Sequence, residues 1–104
     1  MKKVIRENKV AVLISKGFGA GWYTWNEEKP ELLFSPEIVE MVEQNRANEI
    51  NEDWIKDNLG IENAYCGGAS SLKIHWLEVG TAFEVDEYDG AESLRTLADL
   101  VLVA

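Results

Sequence analysis

Two helices in the middle of the chain, each with its own start or stop signals, most constrain the fold. Residues 35–37 are Ser-Pro-Glu, which places a capping hydroxyl, a proline suited to the first helical position and an acidic residue at one helix start. The apolar spacing that follows predicts that this helix ends near residues 45–48. Asn51 caps the second helix and Gly60 ends it.

The segments before these helices are typical of strands. Lys9–Ser15 is short, apolar and rich in β-branched residues, and polar residues and Gly17 bound it, so it predicts a buried strand. Residues 3–6 are predicted to pair with it across a turn that contains Asn8. Residues 22–25 have the aromatic composition of another strand.

The last third of the chain is also β-rich. Residues 72–77 and 81–88 alternate apolar and polar side chains, and we expect them to form a hairpin with each other. Asp-Gly at 89–90 predicts a tight turn into a return strand at 91–95, with a helix over 91–100 as the alternative, and 100–103 as a last apolar strand. The order predicts one α+β domain over residues 1–104, with an antiparallel sheet and two short helices inserted between early and late strands.

Composition narrows the function classes. The 104 residues carry 19 acidic and ten basic side chains, and this net charge of −9 disfavours binding to nucleic acid polymers. The chain has no stretch of about 20 apolar residues and no recognisable signal peptide, so we expect no membrane contact and a cytoplasmic location. The single cysteine, Cys66, and single histidine, His75, are interpreted as structural. No catalytic residue, metal site or cofactor is predicted.

Glycine recurs at every second position over residues 17–21. The spacing is unlike a dinucleotide-binding loop, because the aromatic residues that follow do not start a helix. The backbone N–H groups near Gly19 and Gly21 could still bind an anion, and the simpler alternative is a tight connection.

Three aromatic residues crowd into positions 22–25. On a strand, Trp22 and Thr24 would share one face, while Tyr23 and Trp25 would share the other. A thin domain cannot bury both faces as core, so the second face is predicted to cover another layer, a subunit partner or a planar ligand. The neighbouring Asn26 could read an amide or a base edge.

An acidic run follows later in the chain. A solvated hairpin face is its simplest interpretation, and a cation site or an acid–base pair is the alternative. The sequence around it matches no calcium loop. The run consists of Glu84, Asp86, Glu87, Asp89 and Glu92.

Residues 19–26, Gly-Ala-Gly-Trp-Tyr-Thr-Trp-Asn, and residues 80–90, which end in Glu-Tyr-Asp-Gly, resemble a family of small proteins of tailed bacteriophages. The resemblance extends over nearly the whole chain. It implies an anti-defence role in the host cytoplasm, as a sponge for nucleotide signals such as the ADP-ribose derivatives made by Thoeris systems. No motif of a known nuclease or phosphodiesterase family is present.

The predicted ligand site joins the glycine–aromatic segment, residues 19–26, to the acidic end of the hairpin, residues 84–89. Aromatic rings would stack on a base, carboxylates would accept ribose hydroxyls, and basic side chains or glycine amides would hold phosphate. The predicted site residues are Gly19, Gly21, Trp22, Tyr23, Trp25, Asn26, Lys73, Glu87, Tyr88, Asp89 and Arg95.

Two other functions fit the sequence, which also predicts an assembly state. An acidic protein of this size could inhibit a host enzyme by occupying its basic groove, and the acidic run could serve a small metal-dependent hydrolase. Ten aromatic residues in a small interior, and an apolar edge strand at 100–103, predict a homo-oligomer, most simply a dimer.

Overall fold

The computed structural model describes residues 1–97 and residue 104, and its centre is the predicted strand Lys9–Ser15 (β2). β2 pairs antiparallel with Ile5–Arg6 (β1) and with Leu72–Glu78 (β3), in the order β1-β2-β3. Residues 11–14 of β2 are buried, with alternate side chains in different apolar clusters. Burial on both faces explains why this strand is continuously apolar.

Both predicted helices are present, and their caps are those expected. Pro36–Glu43 (α2) begins after Ser35, whose hydroxyl accepts a hydrogen bond from the Ile38 N–H at 3.2 Å. In Glu52–Leu59 (α3), the Asn51 side chain accepts from the Trp54 N–H at 2.8 Å, and Gly60 ends the helix at φ 69°. We confirm the α+β class.

The structure also contains short helices that the sequence pattern did not predict. One of them is the α-helix Glu31–Phe34, which is numbered α1 because it precedes α2 and α3 in the chain. Two 3₁₀ turns lie at Ala47–Glu49 and Ala69–Ser71. Of the described helices, none is long and apolar enough to cross a membrane.

The late strands form a second, two-stranded antiparallel sheet. Phe83–Tyr88 (β4) pairs with Ala91–Thr96 (β5), so the return strand is confirmed and the alternative helix is wrong over these residues. The connecting turn has positive φ at both central residues, 50° at Asp89 and 89° at Gly90, as its Asp-Gly sequence predicted. Apolar residues of this hairpin pack on one side of β2, opposite the side that α2 and α3 cover.

Three expectations about strands need correction or stay open. The hairpin between residues 72–77 and 81–88 is wrong, because β3 pairs with β2 and β4 pairs with β5. The strand at 22–25 is also wrong: these residues form turns and bends. The strand expected at 100–103 lies outside the described residues, and the dimer inferred from it stays a prediction.

Candidate functional site

An exposed pair of aromatic rings stands beside a cleft at one side of the molecule. The rings of Trp25 and Tyr65, here called the aromatic platform, have centroids 5.2 Å apart and planes inclined at 52°. Their exposed fractions are 40% and 38%. The adjoining cleft has a volume of about 190 Å³ and is lined by Trp25, Asn26, Glu27, Lys29, Ile61, Glu62, Asn63, Ala64 and Tyr65.

The buried amide of Asn26 holds the two halves of the platform together. Its Nδ2 donates to the Trp22 carbonyl at 2.7 Å and to the Tyr65 carbonyl at 2.9 Å. Its Oδ1 accepts from the Tyr65 N–H at 2.7 Å. Because both amide hydrogens and the carbonyl oxygen already bond to backbone, the expectation that Asn26 reads a ligand edge is wrong, and its role is to position the platform.

Each ring of the platform lies against a glycine. A Cβ added to Gly21 would lie 2.6 Å from Cγ of Trp25, and one added to Gly67 would lie 2.5 Å from Cζ of Tyr65. Only glycine lets the rings approach the backbone this closely. Gly21 therefore belongs to the site as a support for Trp25, in a role different from the anion binding expected of it.

The backbone around the cleft adopts sparsely populated conformations. Glu27 and Glu28 have φ of 57° and 50°, and Asn63, across the cleft lining, has φ of 59°. For a residue with a Cβ this region costs about 1–2 kcal/mol, and only asparagine, aspartate and glycine visit it readily. Glu7, Asn8, Asn45 and Asp89 adopt the same conformation away from the cleft, so positive φ does not by itself mark a ligand site.

A buried carboxylate fixes the turn that carries Trp25. Glu92 is 2% exposed, and its Oε1 accepts the Ser15 N–H at 2.9 Å. Its Oε2 accepts the N–H groups of Trp22 at 3.2 Å and Thr24 at 2.8 Å, as well as the Thr24 hydroxyl at 2.7 Å. Glu92 therefore ties β5 to the end of β2 and to residues 22–24.

The interpretation of the acidic run as a solvated face is therefore wrong for Glu92. The signal that could have identified it is its register: on β5 it points to the same side as Leu94, which packs on the core. Three of the four donors at its oxygens belong to Trp22 and Thr24, whose N–H groups therefore bond to this carboxylate rather than to a neighbouring strand.

The structure brings the glycine–aromatic segment to the hairpin end, as expected. The Gly19 N–H donates to the Asp89 carbonyl, and a Cβ on Gly90 would lie 2.5 Å from the Ala20 nitrogen. The contact is made by backbone, whereas the prediction placed a ligand there. Glu87 accepts the Gly90 N–H at 2.6 Å and so stabilises the turn.

The remaining predicted site residues are dispersed. Trp22 is fully buried, and its indole donates to the Leu32 carbonyl at 2.9 Å, so the expectation that it stacks on a base is wrong. Tyr23 is partly buried, and burial first, then nearby carboxylates, raises the pKa of its phenol. Lys73 is exposed on β3, outside the cleft lining.

Tyr88 and Arg95 lie on the hairpin. Tyr88 is 78% exposed and meets Phe18, which is 73% exposed, edge to face at 6.4 Å between ring centroids. The Arg95 guanidinium lies 3.8 Å from a Glu84 oxygen and 3.6 Å from an Asp86 oxygen. Two carboxylates thus already compete for the cation that was expected to hold phosphate.

The groups with catalytic potential have environments that favour their neutral forms. Burial, followed by the Glu52 charge, raises the pKa of the Cys66 thiol, the opposite of what an activated nucleophile needs. Burial, followed by the Lys16 charge, lowers the pKa of His75. Within residues 1–97, no three His, Cys, Asp or Glu side chains are grouped to hold a metal ion.

No match to this chain was found among models of protein families, curated proteins or solved structures. The geometry and chemistry of the cleft are therefore the main guide to function.

Proposed function

We propose that this chain is a non-catalytic binding protein that sequesters a small nucleotide-like ligand on the aromatic platform. One observation carries the proposal: two exposed rings contact each other and line a cleft of about 190 Å³. Large exposed aromatic surface is uncommon without a partner, and nucleobases stack well on such rings.

The size of the cleft favours partial enclosure of the ligand. Pockets that enclose a drug-sized molecule run to about 300–1,000 Å³, so a cleft of about 190 Å³ suits one ring system and its nearest substituents. Because the rings are only 5.2 Å apart, a base would stack on the outer face of one ring and would not insert between them.

The supports of the platform favour binding over catalysis. Asn26 and Glu92 are buried, and their polar atoms bond to backbone groups of the turn and of the Tyr65 segment. Such bonds restrict the motion of the platform before a ligand arrives, which reduces the entropy lost on binding. A rigid binding surface is what a sequestering protein needs.

The resemblance to small phage proteins suggests the setting. A phage protein that holds an ADP-ribose-like signal in the host cytoplasm would lower its free concentration and so block the host's anti-phage response. Sequestration needs a high affinity and enough copies of the protein, and it needs no chemical step.

A second candidate function is inhibition of a host enzyme by protein binding. The ring pair of Phe18 and Tyr88, each more than 70% exposed, favours it, because it stands at the end of a hairpin that also bears Glu84 and Asp86. Aromatic residues are enriched in the cores of protein interfaces, and acidic residues around them would complement a basic groove.

Replacing one ring of the platform tests the principal proposal. Trp25→Ala should weaken binding of ADP-ribose about tenfold or more, because base–aromatic stacking contributes about 1–3 kcal/mol. Trp76→Ala is the matched control, since Trp76 is 36% exposed on β3 and lies outside the cleft lining. Calorimetric titration of the parent and both variants provides the measurement.

The outcomes separate clearly. Binding by the parent and by Trp76→Ala, with loss in Trp25→Ala, supports the platform. Binding that is equal in all three proteins would place the site elsewhere. No binding of ADP-ribose, of nucleosides or of nucleotides by the parent would refute sequestration of a nucleotide-like ligand.

A further inference from the structure

We infer that the hairpin end of one copy of this protein docks into a basic cleft at the opposite end of another copy. The hairpin end, here called the acidic tip, consists of residues 86–90 and the adjoining Phe18. The basic cleft is lined by Arg6, Glu7, Lys9 and Trp76 and has a volume of about 360 Å³. The inference goes beyond the proposed function, because neither surface includes a ring of the aromatic platform.

The exposed rings of the acidic tip are the first observation. Phe18 is 73% exposed and Tyr88 is 78% exposed, and their edge-to-face contact leaves most of both rings open to a partner. Exposed apolar surface of this kind marks interaction sites. The Gly19 N–H donates to the Asp89 carbonyl, so backbone holds the two rings, 70 positions apart in the chain, in one surface.

The charge around these rings is the second observation. Residues 86–90 contain three carboxylates and no basic side chain. Asp86 lies two positions before Tyr88 on β4 and so shares its face, and the Arg95 guanidinium, 3.6 Å from Asp86, offsets one charge. A surface that complements the tip is therefore basic. The anionic surface of a membrane would repel it.

The basic cleft supplies such a surface. Residues 1–9 carry four basic side chains and one acidic side chain, although the whole chain carries −9. Arg6 already pairs with Glu43 and lies over the Trp76 ring at 5.3 Å. Lys9 is exposed and forms no ion pair with any residue that the structure describes. The Lys9 ammonium is therefore the charge that remains to meet a carboxylate.

The two surfaces lie at opposite ends of β2. Lys9 begins this strand, where it pairs with Arg6, and Ser15 ends it, where its N–H donates to Glu92 beside the hairpin turn. Six steps of about 3.3 Å separate these ends, a distance of about 20 Å. One copy therefore does not cover its own basic cleft with its own acidic tip.

A second copy is favoured over a host enzyme as the occupant, because the chain itself carries both complementary surfaces. Clefts of about 300–1,000 Å³ hold drug-sized molecules, so the basic cleft has room for the ring of Tyr88. There the Lys9 ammonium can lie over that ring and beside the Asp89 carboxylate. The contact differs from the edge-strand pairing expected at residues 100–103, since it joins unlike surfaces.

Two variants, alone and mixed, test the contact. Phe18→Ala combined with Tyr88→Ala removes the rings of the tip, and Lys9→Glu reverses the charge of the cleft. Each protein alone should self-associate about tenfold or more weakly than the parent. An equal mixture should associate more than either component, because the intact cleft of the first meets the intact tip of the second.

Sedimentation velocity at about 0.15 M salt provides the measurement, since a screening length of about 8 Å limits the long-range repulsion between acidic molecules. Lys56→Glu is the control, because it makes the same charge change as Lys9→Glu on α3, outside both surfaces. Thermal melting shows whether each variant is folded. Zero-length cross-linking of the parent should also join Lys9 to Asp89, a product that the separation of about 20 Å restricts to two different copies.

Association of the parent, of Lys56→Glu and of the mixture, with weak association of each tip or cleft variant alone, supports the inference. A parent that stays monomeric from micromolar to millimolar concentration would overturn it, and the ring pair would then remain available to a host enzyme. A mixture that associates no more than its components would also overturn it. If a variant does not fold, the cross-link decides: its absence from an associated parent refutes the contact. Binding of ADP-ribose to the platform is measured separately and does not depend on these results.

Discussion

The side chain of Glu92 joins three parts of the chain: β5, the end of β2 and the turn at residues 22–24. Its two oxygens accept three backbone N–H groups and one hydroxyl, all in a buried setting. Buried backbone N–H groups need hydrogen-bond acceptors, and in a sheet a neighbouring strand supplies them. At the end of β2 and in the following turn, this carboxylate is the acceptor instead. Loss of the acceptor would leave those donors without partners.

We expect Glu92→Ala to lower the free energy of unfolding by about 3 kcal/mol or more, because each buried donor left unsatisfied costs about 1–3 kcal/mol. Glu84→Ala is the comparison, since its carboxylate is exposed and 3.8 Å from Arg95, and exposed pairs contribute about 0–1 kcal/mol. Urea denaturation measures both. A loss of similar, small size in the two variants would contradict a structural role for Glu92.

Single residues were predicted well where the chemistry is local. Ser35, Asn51 and Gly60 cap their helices as expected, because a cap depends on neighbours within four residues. Tyr65 was missed, because its ring contact with Trp25 and its backbone bonds to Asn26 join segments about 40 positions apart in the chain. Nothing in the residues around Tyr65 indicates that partner.

At the scale of elements, conformation was more predictable than pairing. Alternation marks residues 72–77 and 81–88 as strands, and both are strands. Alternation does not say which strand lies beside which, and β3 pairs with β2 over seven positions far away in sequence. The two hairpins predicted correctly each have a turn signal of their own: Asp-Gly between β4 and β5, and the turn that contains Asn8 between β1 and β2.

The same turn tests how closely the hairpin approaches the glycine–aromatic segment. Gly90 and Gly80 both have φ of 89°, but a Cβ on Gly90 would lie 2.5 Å from the Ala20 nitrogen, whereas one on Gly80 would meet nothing within 4 Å. Both substitutions to alanine incur the cost of the left-handed conformation, about 1–2 kcal/mol. Gly90→Ala adds a backbone overlap and should lower the melting midpoint clearly further than Gly80→Ala.

Equal midpoints for the two variants would show that the contact at Ala20 is dispensable. The comparison is clean because backbone strain is common to both positions, so only the steric term differs. The overlap at Gly90 would also disturb the nearby Trp22 and Thr24, whose N–H groups donate to Glu92 on the same hairpin.

At the scale of the molecule, charge is unbalanced and its compensation is weak. The chain has 19 acidic against ten basic residues. The ion pairs between described residues all involve substantially exposed side chains, as at Arg6–Glu43 and Arg46–Glu49. Arg6 lowers the pKa of Glu43 through a side-chain hydrogen bond, and Arg46 does the same for Glu49. Both pairs would stabilise the fold above the unfolded pKa of a glutamate and lose that effect as pH falls through the lowered folded value.

Sodium chloride should therefore raise the melting midpoint. At about 0.01 M salt the screening length is about 30 Å, longer than the 13.7 Å radius of gyration, so carboxylates across the whole molecule repel one another. At about 0.15 M it is about 8 Å, and this long-range repulsion is largely screened while close ion pairs lose less. Melting curves between these two concentrations measure the balance. A midpoint that falls with added salt would show that attraction within the exposed pairs outweighs the repulsion of the −9 net charge.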